Sequence, residues 1–129
     1  AEHFLSYLWE RKITLIVPVP LHSRRKRKRG FNQAEIVAKV LSENTGIAMD
    51  AGAVKRIKAT SPQKELGDKG RKRNIRGAFA VQKNIKGENI VLIDDIYTTG
   101  STLDEAARVL KKAGAENVYF LTVSIGQGI

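Results

Sequence analysis

The stretch VLIDDIYTTGSTLDEA, residues 91–106, decides how this chain folds. With Ile90 in front of it, the passage opens on an unbroken apolar run, Ile90 to Ile93. A run without polar alternation suits a strand covered on both faces, as in a parallel sheet. Two carboxylates, Asp94 and Asp95, follow at once, and then Thr98, Thr99, Gly100, Ser101 and Thr102. Leu103, Ala106, Ala107, Leu110 and Ala113 recur at helical spacing, Lys111 and Lys112 suit the negative end of that helix, and Gly114 can stop it. Thr102 and Glu105 stand at capping-box spacing, with Thr102 as the cap. The passage predicts strand, loop, helix.

That order carries chemistry. In open α/β sheets, ligands bind beyond the carboxyl ends of the strands. Neighbouring strand residues point to opposite faces, so Asp94 and Asp95 serve one ligand only if the chain leaves strand geometry at the pair. The backbone N–H groups and hydroxyls of Thr98 to Thr102 lie at the positive end of a helix and suit a phosphate. Gly100 allows a positive φ and a close backbone approach there. Phosphate donors beside carboxylate acceptors fit a ligand with a phosphate and vicinal hydroxyls, such as a ribose 5-phosphate. The bland alternative is a turn and an ordinary cap. The chain has neither a G-x-x-x-x-G-K-[ST] nor a G-x-G-x-x-G motif.

Outward from this passage, strands and helices alternate. Phe4 to Trp9 predicts a short helix with Phe4, Leu5, Leu8 and Trp9 on one face. Ile13 to Val17 predicts a second covered strand, stopped by Pro18 and Pro20. A basic segment, Arg24 through Arg29, runs into a helix capped by Asn32, with Glu35 at capping-box spacing and a Phe31–Ile36 staple. Ala34, Val37, Ala38 and Leu41 form its buried face, and Gly46 ends it. Val54 to Ile57 and Ala78 to Val81 read as short strands around a long polar stretch, Lys58 to Gly77, of a length usually functional or disordered. Asn84 to Asn89 reads as a turn, and Val118 to Val123 as a last strand. The pattern predicts one α/β domain over 1–129, with an open, mostly parallel sheet flanked by helices.

The chain has 129 residues, 42% of them hydrophobic, which suits a single core. Its net charge of +10 predicts attraction to phosphate, as nucleic acid or as a small polyanion. It has no cysteine, hence no disulfide and no thiolate metal site, and it shows no apolar run of the roughly 18 residues a membrane span needs. No membrane and a cytoplasmic location are expected.

IVLIDDIYTTGST resembles the phosphoribosyl-pyrophosphate (PRPP) signature of type I phosphoribosyltransferases. VPVPLHSRRKRKRGFNQAE and TSPQKELGDKGRKRNIRGAF are similar to two further segments of the ComF (competence protein F) family. The resemblance implies a phosphoribosyltransferase that moves the phosphoribosyl group of PRPP to or from a nitrogen nucleophile. Asp94 and Asp95 would hold the ribose hydroxyls, and Tyr97, Thr98, Thr99, Gly100, Ser101 and Thr102 the 5-phosphate. Leu21, His22, Ser23 and Arg24 would form the pyrophosphate loop. Residues 58–77 would be the flexible catalytic loop, with Arg71 as its catalytic contact. Mg²⁺ would arrive through PRPP, with Asp94 or Asp95 as a further ligand. The family's N-terminal cysteine zinc ribbon is expected to be absent, and the hood that selects the base to be minimal.

A second class is a DNA-uptake accessory protein that binds single-stranded DNA through its basic clusters and uses a PRPP site only for sensing. Such binding often uses stacked aromatics, and no aromatic residue interrupts either cluster. The oligomeric state is left open, a homodimer included.

Overall fold

The computed structural model describes residues 2–20, 33–57, 76–95 and 100–123. In chain order they form α1 (Glu2–Glu10), β1 (Leu15–Pro18), α2 (Gln33–Thr45), β2 (Ala48–Met49), β3 (Val54–Arg56), β4 (Phe79–Val81), β5 (Asn89–Asp95), α3 (Gly100–Lys112) and β6 (Asn117–Val123). Four strands make a parallel sheet in the order β2-β1-β5-β6, and β3 and β4 pair antiparallel in a separate two-stranded sheet. The α/β class and the open parallel sheet are those the alternating pattern predicts.

β5 is central because its residues are apolar on both sides. Ile90 and Leu92 pack in one core with Val17, Val19, Leu103, Ala106 and Leu110, on the face covered by α3 and the β3–β4 pair. Val91 and Ile93 pack in a second core with Leu8, Ile16, Ala34 and Ala38, on the face covered by α1 and α2. The register Leu15↔Ile90, Ile16↔Val91, Val17↔Leu92 keeps each side chain on the same face as its partner.

Several local expectations are corrected. Pro18 does not stop β1 but is its last, buried residue. Val19 donates its N–H to Ile93 O, whereas Ile16 O accepts from Asp50 N–H on the other flank. By alternation Pro18 nitrogen also faces that second flank, beyond the end of β2 at Met49, so the missing donor breaks no ladder bond. Trp9 is not on the packing face of α1: it is 70% exposed, while Leu8 is fully buried and Tyr7 packs edge-on to Tyr119. Ala113 is exposed and follows α3 in a turn. Asn89 belongs to β5 rather than to the turn before it. The two-residue β2 is absent from the sequence reading.

The buried face of α2 is as expected, with Ala34 and Ala38 buried and Val37 and Leu41 against the core. Gly46, at φ 77°, ends the helix by donating to Ser42 O. The proposed cap and staple residues Asn32 and Phe31 lie outside the described residues, and Ile36 is exposed.

Candidate functional site

The parallel sheet has one topological switch point. β1 and β5 are neighbours, and the chain leaving β1 goes to α2 on one face, while the chain leaving β5 goes to α3 on the other. The crevice beyond the carboxyl ends of two such strands is the ligand position of open α/β folds. Both passages picked out from the sequence leave from this point. The 21–24 segment departs just after Val19, whose N–H is held by Ile93 O at 2.9 Å, one residue before Asp94. The 96–99 segment departs from Asp95 and returns at Gly100.

Asp94 is 2% exposed and takes the same face as Ile90 and Leu92, the α3 side. The pair does not leave strand geometry: β5 runs through Asp95, in register Asp94↔Thr122 and Asp95↔Val123. The long ladder to β6 keeps the backbone extended there. Gly100 is the first residue of α3, and it does not adopt positive φ. It is exposed, and outside its chain neighbours and its own helix backbone no described atom comes within 4 Å of where its Cβ would stand. Ser101 is helical, and Thr102 is buried at 5% exposure. Leu21, His22, Ser23, Arg24, Arg71, Tyr97, Thr98 and Thr99 lie outside the described residues.

Glu105 is not a capping-box residue. The helix starts at Gly100, so Thr102 already lies in its first turn. Glu105 is 6% exposed and reaches sideways. Its carboxylate takes Arg108 Nε at 2.8 Å on Oε1 and Arg108 Nη2 at 2.6 Å on Oε2. Oε2 also accepts the Gly77 N–H at 3.0 Å. The Arg108 hydrogen bonds hold the carboxyl below its ordinary pKa against the opposing effect of burial, helped by the Gly77 N–H and the charge of Arg76. The i, i+3 spacing to Arg108 is legible in the sequence, whereas the bond to Gly77 is not.

Gly77, at φ 76°, stands where the 58–75 segment rejoins the fold, and Ile57 N–H donates to Ala78 O at 2.7 Å. Both ends of that segment therefore sit together, on the side of α3. Arg56 lies over the Phe79 ring in the same pair of strands. A shallow cleft lined by Ser6, Trp9, Asn44 and Thr45 lies at the last turn of α2, the opposite end from the switch point.

Among the described residues no group of three or more His, Cys, Asp or Glu is placed to hold a metal ion. No helix among the described residues is long and apolar enough to cross a membrane.

Residues 10–125 match the phosphoribosyl transferase domain family. The chain is 42% identical to "DNA utilization protein YhgH" of Salmonella typhi over 103 residues, 80% of this chain and 45% of that protein. It is 42% identical to "Competence protein F" of Haemophilus influenzae over 106 residues, 80% of this chain and 46% of that one. "Competence protein ComFC" of Bacillus subtilis is 35% identical over 121 residues, 92% of this chain and 47% of its own length. The chain thus spans about half the length of these relatives. Among solved structures, the purine phosphoribosyltransferase of Pyrococcus horikoshii aligns with a TM-score of 0.57 at 21% identity, covering 92% of this chain and 66% of that one. This likeness shows a shared fold.

Proposed function

Because the chain belongs to the phosphoribosyl transferase domain family, in its ComF branch, we propose that the β1/β5 switch point binds PRPP as its Mg²⁺ complex and supports phosphoribosyl transfer. The observation that carries this reading is the convergence at one point of the ends of β1 and β5, with Asp94 and Asp95 closing β5 and α3 starting at Gly100.

In this reading the helix start and Thr98 to Thr102 anchor the 5-phosphate, and Asp95, at the last position of β5, holds the hydroxyl edge of the ribose, while Asp94 stands behind it, buried on the α3 face. Fixing both ends of the sugar sets the attack geometry. Leu21, His22, Ser23 and Arg24 receive the diphosphate, and Arg71 adds charge to it. A nitrogen nucleophile forms the new bond to the anomeric carbon. The carbon–oxygen bond to diphosphate breaks, its electron pair leaves with the diphosphate, and the nucleophile gives up its proton. The positive charge that gathers on the ribose is stabilised by the neighbouring carboxylate.

Calorimetry with PRPP and Mg²⁺ tests the reading. Saturable binding is expected, weakened more than tenfold by Asp95→Ala. Heat no greater than that of inorganic phosphate at the same ionic strength overturns it.

The relatives' names favour a second reading, DNA handling, in which the basic clusters bind single-stranded DNA and PRPP is a signal. Neutralising Arg25 to Arg29, with Arg24 left in place, separates the two. Loss of DNA binding with PRPP binding intact supports the accessory role.

A further inference from the structure

We propose that β6 is a self-association edge, at which two copies of this chain join their sheets through antiparallel β6 strands about a two-fold axis at Phe120.

The four-stranded sheet has two edges, and they are unlike. β2 has two residues, too short to template another strand. β6 has seven, Asn117–Val123, all in register with β5 on one side and with no strand on the other among the described residues. Long edges are ordinarily blunted by Lys, Pro or a bulge. β6 carries no charged residue and no Pro, in a chain whose residues are 28% charged.

The ladder fixes which backbone groups face outward. In a parallel ladder each residue gives its N–H and its C=O to the same neighbour, and successive residues alternate between neighbours. Ile93 O accepts the Val19 N–H, so Asn89, Val91 and Ile93 face β1, and Ile90, Leu92 and Asp94 face β6. In the register Val91↔Tyr119 and Ile93↔Leu121, their partners are Tyr119, Leu121 and Val123. The N–H and C=O groups of Val118, Phe120 and Thr122 therefore point away from the sheet. In keeping with this, the Phe120 carbonyl accepts the hydroxyl of Tyr7 from α1, at a long 3.3 Å.

Those three residues are spaced to meet their own copy. Turned about Phe120, Val118 faces the copy's Thr122, Phe120 faces the copy's Phe120, and Thr122 faces the copy's Val118. Each is a hydrogen-bonded pair that exchanges two bonds, so every outward group of the three is engaged. The Phe120 carbonyl has a second lone pair, so the Tyr7 bond can stay. Phe120 is 39% exposed, and on the axis it is covered by the copy's ring as a cross-strand aromatic pair. No like charges come opposite one another, whereas nucleic acid would find no cation on this strand. A self-complementary two-fold contact is also the commonest form of pairing between identical chains.

The chain has no cysteine, so a single introduced one reports the register. Across the proposed pair the two Cα atoms at position 120 would stand about 5.5 Å apart, within the range a disulfide bridges. Those at position 122 would be four residues apart along the strands, about 14 Å at 3.4 Å per residue, which is out of range. Phe120→Cys is expected to give a disulfide-linked dimer under mild oxidation, and Thr122→Cys about tenfold less of it. Sedimentation of the unaltered chain over the micromolar range should show a mass rising toward twice the monomer. Phe120→Lys, which sets two like charges on the axis, should stay monomeric, and Trp9→Lys, on the exposed side of α1, should still dimerise. An unaltered chain that stays monomeric overturns the proposal. So do equal cross-linking of the two cysteine variants and a dimer that survives Phe120→Lys. If Phe120→Lys does not fold, Thr122→Pro decides, since it removes one outward N–H and no bond to β5. A dimer of undiminished affinity in that variant overturns the proposal as well.

Discussion

At the scale of single residues, two carboxylates carry different expectations. Asp95 is the last residue of β5, at the proposed ribose position, and its replacement by Ala is expected to lower PRPP affinity more than tenfold in calorimetry. Glu105 faces other protein groups, namely Arg108, the Gly77 N–H and the charge of Arg76. Its folded pKa is depressed, so its ionised form is bound more tightly in the folded state. The stability it contributes is present above its unfolded value of about 4.3 and is lost as pH falls through the lower folded value. Urea midpoints of the unaltered chain and of Glu105→Gln, measured from pH 6 down to pH 3, are therefore expected to converge as pH falls. A gap that stays constant would show that the charge contributes nothing. Residue types alone placed the aspartates at a strand end, but they gave Glu105 the wrong role, because spacing within a helix cannot reveal a partner on a distant strand.

At the scale of elements, the packing of α3 decides how firmly the site is held. Leu103, Ala106 and Leu110 are buried against the sheet and the β3–β4 pair. Truncating a buried leucine costs about 2–5 kcal/mol, so Leu110→Ala is expected to lower the chemical-denaturation midpoint by that equivalent. The far end of the helix is equally constrained. Gly114 has φ 109°, and a Cβ there would stand 3.2 Å from Lys86 Cγ and 3.4 Å from Lys86 Cα. Gly114→Ala is expected to cost about 1–3 kcal/mol in urea unfolding, chiefly from backbone strain. The C-terminal ends of α2 and α3 were legible, since capping glycines and apolar spacing are local signals. The exact start of α3 was not, because the Thr102–Glu105 spacing imitates a capping box while both residues are in fact buried inside the helix.

At the scale of the whole molecule, the net charge of +10 acts with the fold rather than through it. If single-stranded DNA is a ligand, log affinity should fall linearly with log salt, with a slope of about 0.7 per phosphate contacted. PRPP, if held by directed hydrogen bonds at one point as proposed, should respond far less steeply. Titrations of both ligands at two salt concentrations check this, and equal slopes would argue against a dedicated sugar-phosphate pocket. The sequence by itself determined the α/β class, the covered strands β1 and β5, the helix that follows the aspartates and the family resemblance. These rest on periodicity and short motifs, whose physics is complete within a dozen residues. The tertiary structure alone decided that β1 and β5 lie side by side, that Pro18 belongs to its strand, that Trp9 faces outward and that Gly77 is tied to Glu105. Each depends on which distant segments bury surface together, and that choice is made by competition among all the apolar faces at once, not by any one stretch of the chain.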